Sequence, residues 1–199
     1  MDKHLIETRA LELIELKSMK GLFLAATPVM EDSRFIETLI LMVHHDDKGA
    51  AGFVINTPVS NLSFYELLEQ LKIENPEGVS NHIVFQGGPV QAGNGFVIYE
   101  GSMGLRDEMH IADSLFYSRS IESLKRIAEG RGPEYYSICL GRAEWGPGQL
   151  EEELRENVWL PVPLESQLVF GEVPENVWAN ALRKQGISAA NFTNVAGHA

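Results

Sequence analysis

Apolar positions fall into short runs between turn-forming residues, and their spacing sorts them into strands and helices. Ile6, Ala10, Leu13 and Ile14 make a loose helical stripe over Leu5–Leu16, a peripheral N-terminal helix within residues 1–18 that Met19-Lys20-Gly21 ends. Leu22–Ala26 reads as a short buried strand halted before Pro28. Phe35–His44 and Ala51–Asn56 are strand-like runs on either side of Asp46-Asp47-Lys48-Gly49, the composition of a hairpin turn. Ser63 and Glu66 fit a capping box with Leu62 and Leu67 at the staple positions, and Phe64, Leu67, Leu68 and Leu71 then recur as one buried helix face.

Further along, His82–Phe85 predicts a strand entering Gly87-Gly88-Pro89, and Asn94-Gly95 predicts a turn before a strand at Phe96–Tyr99. Met109–Tyr117 reads as one strand, and Ile121, Leu124, Ile127 and Ala128 as a helix stopped by Gly130. Tyr135–Leu140 is a central-strand candidate, Gln149–Asn157 a helix after Gly146-Pro147-Gly148, and Gln167–Phe170 a strand. Pro174 suits the first turn of a helix carrying Val177, Trp178, Ala181 and Leu182, with Gly186 as its stop. Strands and helices intermix without regular βαβ alternation, which predicts an α+β fold. No repeat or Pro/Gly/Ser-rich linker interrupts the 199 residues, so one domain over 1–199 is the simplest organisation.

Composition narrows the partners. With 28 acidic against 16 basic side chains the net charge is −12, which repels phosphate backbones. The one locally basic stretch, Arg119 to Arg131, reads as a solvated helix face, and direct nucleic-acid binding is not expected. No apolar run approaches the ~18–20 residues that cross a bilayer, and the first residues lack an apolar signal core, so a cytoplasmic protein without membrane contact is expected. A single cysteine excludes an internal disulfide.

Candidate chemistry is sparse. His44, His45, Asp46 and Asp47 are the densest cluster of possible ligands, but strand neighbours point to opposite faces, so a hydrated hairpin end explains them better than a metal site. Cys139 lies in an apolar strand, where a thiol stays protonated and inert. No nucleophile elbow, Walker A loop or dinucleotide fingerprint is present. Gly146-Pro147-Gly148 precedes a helix, yet Glu151, Glu152 and Glu153 would repel an anion there. Gly87-Gly88-Pro89 reads as a tight turn or a binding loop. Asp32 reads as a turn cap and Asn56 as a backbone clamp at a strand end. No cofactor or metal is expected.

Four ordered segments carry a resemblance: Gly21–Phe35 (GLFLAATPVMEDSRF), Gly49–Val59 (GAAGFVINTPV), Phe85–Tyr99 (FQGGPVQAGNGFVIY) and Leu140–Leu154 (LGRAEWGPGQLEEEL). With these the chain resembles the YqgE/AlgH family of bacterial proteins. The resemblance implies a bifurcated β-sheet curled into a pseudo-barrel with helices packed outside it, in a cytoplasmic protein; one branch of the family bears the label of a transcriptional regulator of exopolysaccharide synthesis. The matching signature positions include Asp32, Asn56, Gly87, Gly88, Pro89, Trp145, Gly146, Gly148 and Gln149, which become the candidate ligand-binding residues. Thr57 stands where the family often has Arg, and Arg142 and Glu144 replace its usual residues before the Trp. Gly, Pro, Asn and Trp shape loops and are poor proton-transfer groups. The sequence therefore favours a non-enzymatic domain that binds a small molecule or a protein in a regulatory role. The alternative is an enzyme acting on a nucleotide or phosphorylated metabolite, with Asp32, Asn56 and Gly87-Gly88 around the substrate.

Overall fold

The computed structural model describes residues 18–187, so all of the expected N-terminal helix but Ser18 lies outside the described residues. In chain order the elements are β1 (Phe23–Ala26), β2 (Leu39–Asp46), β3 (Gly49–Val54), β4 (Pro58–Ser63), α1 (Phe64–Gln70), β5 (Ile83–Gln86), β6 (Val90–Glu100), β7 (Met109–Ala112), β8 (Leu115–Ser118), α2 (Ile121–Ala128), β9 (Tyr136–Trp145), α3 (Gln149–Arg155), β10 (Trp159–Val162), α4 (Ser166–Phe170) and α5 (Pro174–Lys184). Residues 18–56 and 144–187 form one compact unit and Thr57–Ala143 a second.

The first unit carries the antiparallel order β10-β1-β2-β3. Every residue of β1 is buried, as is the apolar first half of β2, so this sheet is covered on both faces at its centre. The β2–β3 hairpin turns at Asp47-Lys48, where the Lys48 amide donates to Asp46 Oδ1 at 2.8 Å. Helix α5 packs on β1 and β2, and Trp178 Nε1 donates to the Ala26 carbonyl at 2.9 Å.

In the second unit the order is β4-β5-β9-β6-β8-β7, antiparallel throughout except for β5 beside β9. Phe64, Leu67 and Leu68 of α1 and Leu124, Ile127 and Ala128 of α2 close its core over Val84, Val97, Tyr99 and Ile138. The capping box forms: Ser63 accepts from the Glu66 amide, and the Glu66 carboxylate accepts from the Ser63 amide at 2.6 Å. Burying one such Phe or Leu contributes about 1.5–3 kcal/mol. The class is α+β, and among the described residues no ring of strands closes within either unit.

Several boundaries differ from the sequence reading. Residues 35–38 form a turn, and β2 starts at Leu39, because Glu37 takes a left-handed conformation (φ 55°) that interrupts the extended run just ahead of it. Met109–Tyr117 is a hairpin, reversed at left-handed Asp113 (φ 46°). Asn94-Gly95 sits inside β6, where the register slips between Val90 and Gly95 and left-handed Gln91 absorbs the extra length. Leu71 is the C-cap of α1 and exposed. Gln167–Phe170 is part of helix α4, and the helix from Gln149 stops at Arg155.

Candidate functional site

The loop between β1 and β2 is tied at its start, middle and end by hydrogen bonds. At its start the Thr27 amide donates to the Val158 carbonyl at 3.0 Å, and its hydroxyl donates to the Asn157 carbonyl at 2.6 Å. The same hydroxyl oxygen accepts the Val29 amide at 3.2 Å. At mid-loop Asp32 grips Arg34 through three side-chain contacts of 2.6–3.1 Å and accepts its amide at 3.0 Å. Hydrogen bonds from the Arg34 side chain, then from its backbone, hold the Asp32 carboxyl below the usual carboxylate range. The Arg34 guanidinium also lies 5.7 Å from the centre of the Phe35 ring.

Asn56 clamps the end of the loop. Its Oδ1 accepts the amide of fully buried Leu39 at 2.9 Å, and its Nδ2 donates to the carbonyl of left-handed Glu37 at 2.9 Å. A non-glycine residue at positive φ costs of order 1–2 kcal/mol, so it persists where its surroundings hold it. Turned outward, by contrast, Val29 is 53 % and Ile36 54 % exposed.

Behind the loop stands a carboxylate that links two indoles. Phe35 meets Trp159 edge-on at 5.8 Å, and Trp159 meets Trp145 edge-on at 5.9 Å. Glu153 Oε2 accepts from Trp145 Nε1 and from Trp159 Nε1, both at 2.7 Å. Gln149 Nε2 donates to Glu153 Oε1 at 2.8 Å, while Gln149 Oε1 accepts the Gly146 amide at 3.0 Å. Gly148 supplies the left-handed cap (φ 75°) that turns the chain into α3. The opposite end of this corner is tight: a Cβ at Gly49 would meet the Trp145 carbonyl oxygen at 2.3 Å. Trp145-Gly146-Pro147-Gly148-Gln149 thus builds a buttress, with first-turn Glu151 and Glu152 complementing the helix dipole.

Asp32, Asn56, Trp145, Gly146, Gly148 and Gln149 therefore all serve the first unit, around one loop. Gly87, Gly88 and Pro89 belong to the second unit and do another job. Gly87 and Gly88 are buried: added Cβ atoms would lie 2.4 Å from the Gly141 carbonyl oxygen and 2.2 Å from the Arg142 carbonyl carbon. These glycines let β9 and the β5–β6 connection touch backbone to backbone, and only Pro89 of the three is exposed. Glu153 escaped the sequence reading as a site residue. Its spacing of four from Gln149 on one helix face was the available signal, but its indole partners come from two strands.

The hydrated-turn explanation fits His44, which faces Asp46 at 3.3 Å with both exposed, but not His45. The His45 side chain is only 7 % exposed; its Nδ1 accepts the Met19 amide at 2.9 Å, which leaves the proton on Nε2, 3.0 Å from Glu151 Oε1. Cys139 is fully buried, and burial pushes its thiol up to about 12. In the second unit Glu108 accepts from the Tyr99 hydroxyl at 2.9 Å, the Met103 amide at 2.7 Å and Ser102. Burial alone would raise Glu108, but these hydrogen bonds together hold it below the ordinary carboxylate range. Among the described residues no three His, Cys, Asp or Glu side chains gather to hold a metal ion, and no helix is long and apolar enough to cross a membrane.

A family model described as AlgH-like matches residues 23–190. The chain belongs to the AlgH-like family. Among its relatives a UPF0301 protein of Rhodopseudomonas palustris is 38 % identical over 189 residues, covering 91 % of this chain and 89 % of the relative. A UPF0301 protein of Thiobacillus denitrificans is 38 % identical over 177 residues, covering 89 % and 95 %. The solution structure of AlgH from Pseudomonas aeruginosa superposes with a TM-score of 0.74 at 37 % identity, covering 92 % of this chain and 97 % of that one. A crystal structure of a Corynebacterium diphtheriae protein shares the fold alone, at a TM-score of 0.67 and 19 % identity over 83 % of this chain and 86 % of the other. The AlgH-like match spans both the loop with its buttress and the glycine-lined strand contact of the second unit.

Proposed function

We propose that this AlgH-like protein is a non-enzymatic, cytoplasmic, protein-binding domain with a regulatory role, and that the 27–38 loop is its recognition element. One observation carries the reading: the loop's Thr27, Asp32, Thr38 and their clamp Asn56 are engaged in fixing its backbone, while Val29 and Ile36 stand more than half exposed on it. A rigid loop loses little entropy on binding, so modest apolar area gives useful affinity. The enzyme alternative is disfavoured because Asp32 and Asn56, its central polar groups, are both committed to loop geometry. Direct DNA contact is disfavoured by the charge of −12.

The test places a photo-crosslinking amino acid at Ile36 and, as control, at Ile121, an exposed position of α2 in the second unit. Irradiation of growing cells should give a discrete adduct with a protein from Ile36 and none from Ile121. Equal labelling at the two positions, or none at either, refutes the reading.

A further inference from the structure

We infer that His45 is a proton-operated latch on the chain ahead of β1: the neutral ring holds the Met19 amide, and the protonated ring releases it while keeping Glu151. The latch lies outside the 27–38 loop and does not depend on what that loop binds.

The fold sets the ring between two elements. The β2–β3 register slips between Met42 and His44, and beyond the slip His44 is exposed while the His45 side chain is only 7 % exposed. On one side Nδ1 accepts the amide of buried Met19 at 2.9 Å, and on the other Nε2 donates to Glu151 Oε1 of α3 at 3.0 Å. The Ser18 hydroxyl adds a bond to the His45 carbonyl at 3.1 Å, so the same residue holds the segment through ring and main chain. The next ties join the Gly21 amide to the Met42 carbonyl and the Met42 amide to the Leu22 carbonyl, both at 2.9 Å, and neither involves a titratable group.

A proton acts differently on the two sides. Neutral imidazole has one acceptor nitrogen, here spent on Met19, whereas imidazolium has two N–H groups and no acceptor. A proton on Nδ1 sets N–H against N–H, and the Met19 amide loses its partner. At Nε2 the same proton makes the bond to Glu151 charge-assisted and therefore stronger. The ring passes its hold from the segment to the helix. Because the closed segment excludes a proton from Nδ1 and the open one admits it, linkage makes acid favour opening. Histidine is the side chain that ordinarily changes charge between about pH 5 and 8.

Among the described residues Glu151 is the ionisable group that touches the ring. Lys20 on the arriving segment and Asp47 and Lys48 on the hairpin are exposed; His44 pairs with Asp46, Glu152 pairs with Arg155, and β3 sets Ala50 opposite His45. The Met19 side chain, 1 % exposed, opposes opening at every pH. The open form is therefore rare, and amide exchange, which detects rare openings, is the suitable measurement.

Nuclear magnetic resonance on the full-length protein follows the His45 ring nitrogens and the Met19 amide together. At about pH 7.5 the ring should carry its proton on Nε2. Between about pH 7.5 and 5.5 the ring should titrate, and the Met19 protection factor, corrected for intrinsic exchange, should fall about tenfold with the same midpoint. Protection of the Gly21 amide should change by less than about twofold. His45→Asn offers an oxygen near the place of Nδ1 and does not titrate, so its Met19 protection should stay level. Glu151→Gln removes the charge that favours the imidazolium and should move the fall to lower pH.

A proton on Nδ1 at about pH 7.5, a ring that does not titrate over this range, or Met19 protection that stays level while the ring titrates overturns the latch. So does an equal fall at Gly21, which would be general unfolding, or an equal fall in His45→Asn. Where His45→Asn does not fold, the wild-type comparison of ring, Met19 and Gly21 decides alone.

Discussion

Replacing Glu153 by Ala removes the acceptor shared by Trp145 and Trp159 and frees one arm of Gln149. The two indoles are 7 % and 2 % exposed, so their N–H groups have little direct access to water once the carboxylate is gone. An orphaned buried donor costs about 1–3 kcal/mol, which gives about 2–6 for the pair. Glu153 is itself only half-buried, so the gap left by its side chain admits water, and the lower part of that range, about 2–4 kcal/mol, is the expected loss. All three tryptophans of the chain lie in the first unit, so intrinsic fluorescence in a urea titration reports on that unit. At a slope of about 2 kcal/mol per molar urea the midpoint should fall by about 1–2 M. Glu153→Gln keeps an oxygen acceptor and should lose about half as much. A loss below about 0.5 kcal/mol for the alanine variant, or equal losses for both, would refute the indole–carboxylate link.

Four further outcomes follow from other parts of the molecule. Gly88→Ala drives a Cβ to 2.2 Å from the Arg142 carbonyl carbon at φ 150°, and should abolish soluble expression or cost more than about 3 kcal/mol; Gly104→Ala, with nothing within 4 Å at φ 65°, should cost about 1–2 kcal/mol by thermal unfolding. Cys139, its thiol pushed up to about 12, should resist iodoacetamide at neutral pH in the native protein and react within minutes once denatured. Glu108 is held below its ordinary 4.5, so its contribution is complete above that value and disappears as pH falls through the lowered folded one; an acid titration of stability should be steeper for the wild type than for Glu108→Gln. Val29→Ser and Ile36→Ser, at side chains already more than half in water, should each move stability by less than about 0.5 kcal/mol in chemical denaturation.

How much of this was legible in the sequence depended on whether the determining contact was local. The α1 capping box, the β2–β3 hairpin and the stops at Gly130 and Gly186 involve residues a few positions apart, and each was readable. Gln167–Phe170 was misread because a four-residue apolar run fits a buried strand or a helix turn equally, and only burial of Leu168 and Val169 in α4 decides between them. The start of β2 was misplaced because Phe35 and Ile36 look like strand residues. Asn56, 19 positions from Glu37, fixes the left-handed turn there. The roles of Asp32 and Asn56 as cap and clamp were readable from residue type, since short amide and carboxylate side chains compete for nearby backbone groups. Glu153 was not, because its indole partners come from β9 and β10.

The glycine and polar signature positions, alike in sequence as loop-shaping residues, separate by the physical task each performs. Gly87, Gly88 and Gly141 permit backbone contact within the second unit, and any side chain at Gly88 would collide with main-chain atoms that have nowhere to move. Asp32, Asn56 and Gln149 fix one loop and its support in the first unit by accepting main-chain amides with their side-chain oxygens. The first group is constrained by the native state as a whole, so its variants fail in folding whatever the protein binds. For the second group the purpose of rigidity has to be sought in what the rigid segment displays, and what it displays is Val29 and Ile36. Loss of binding without loss of stability at those two positions, beside loss of stability at Asn56 and Glu153, is the pattern that a preorganised recognition loop produces and a merely structural turn does not.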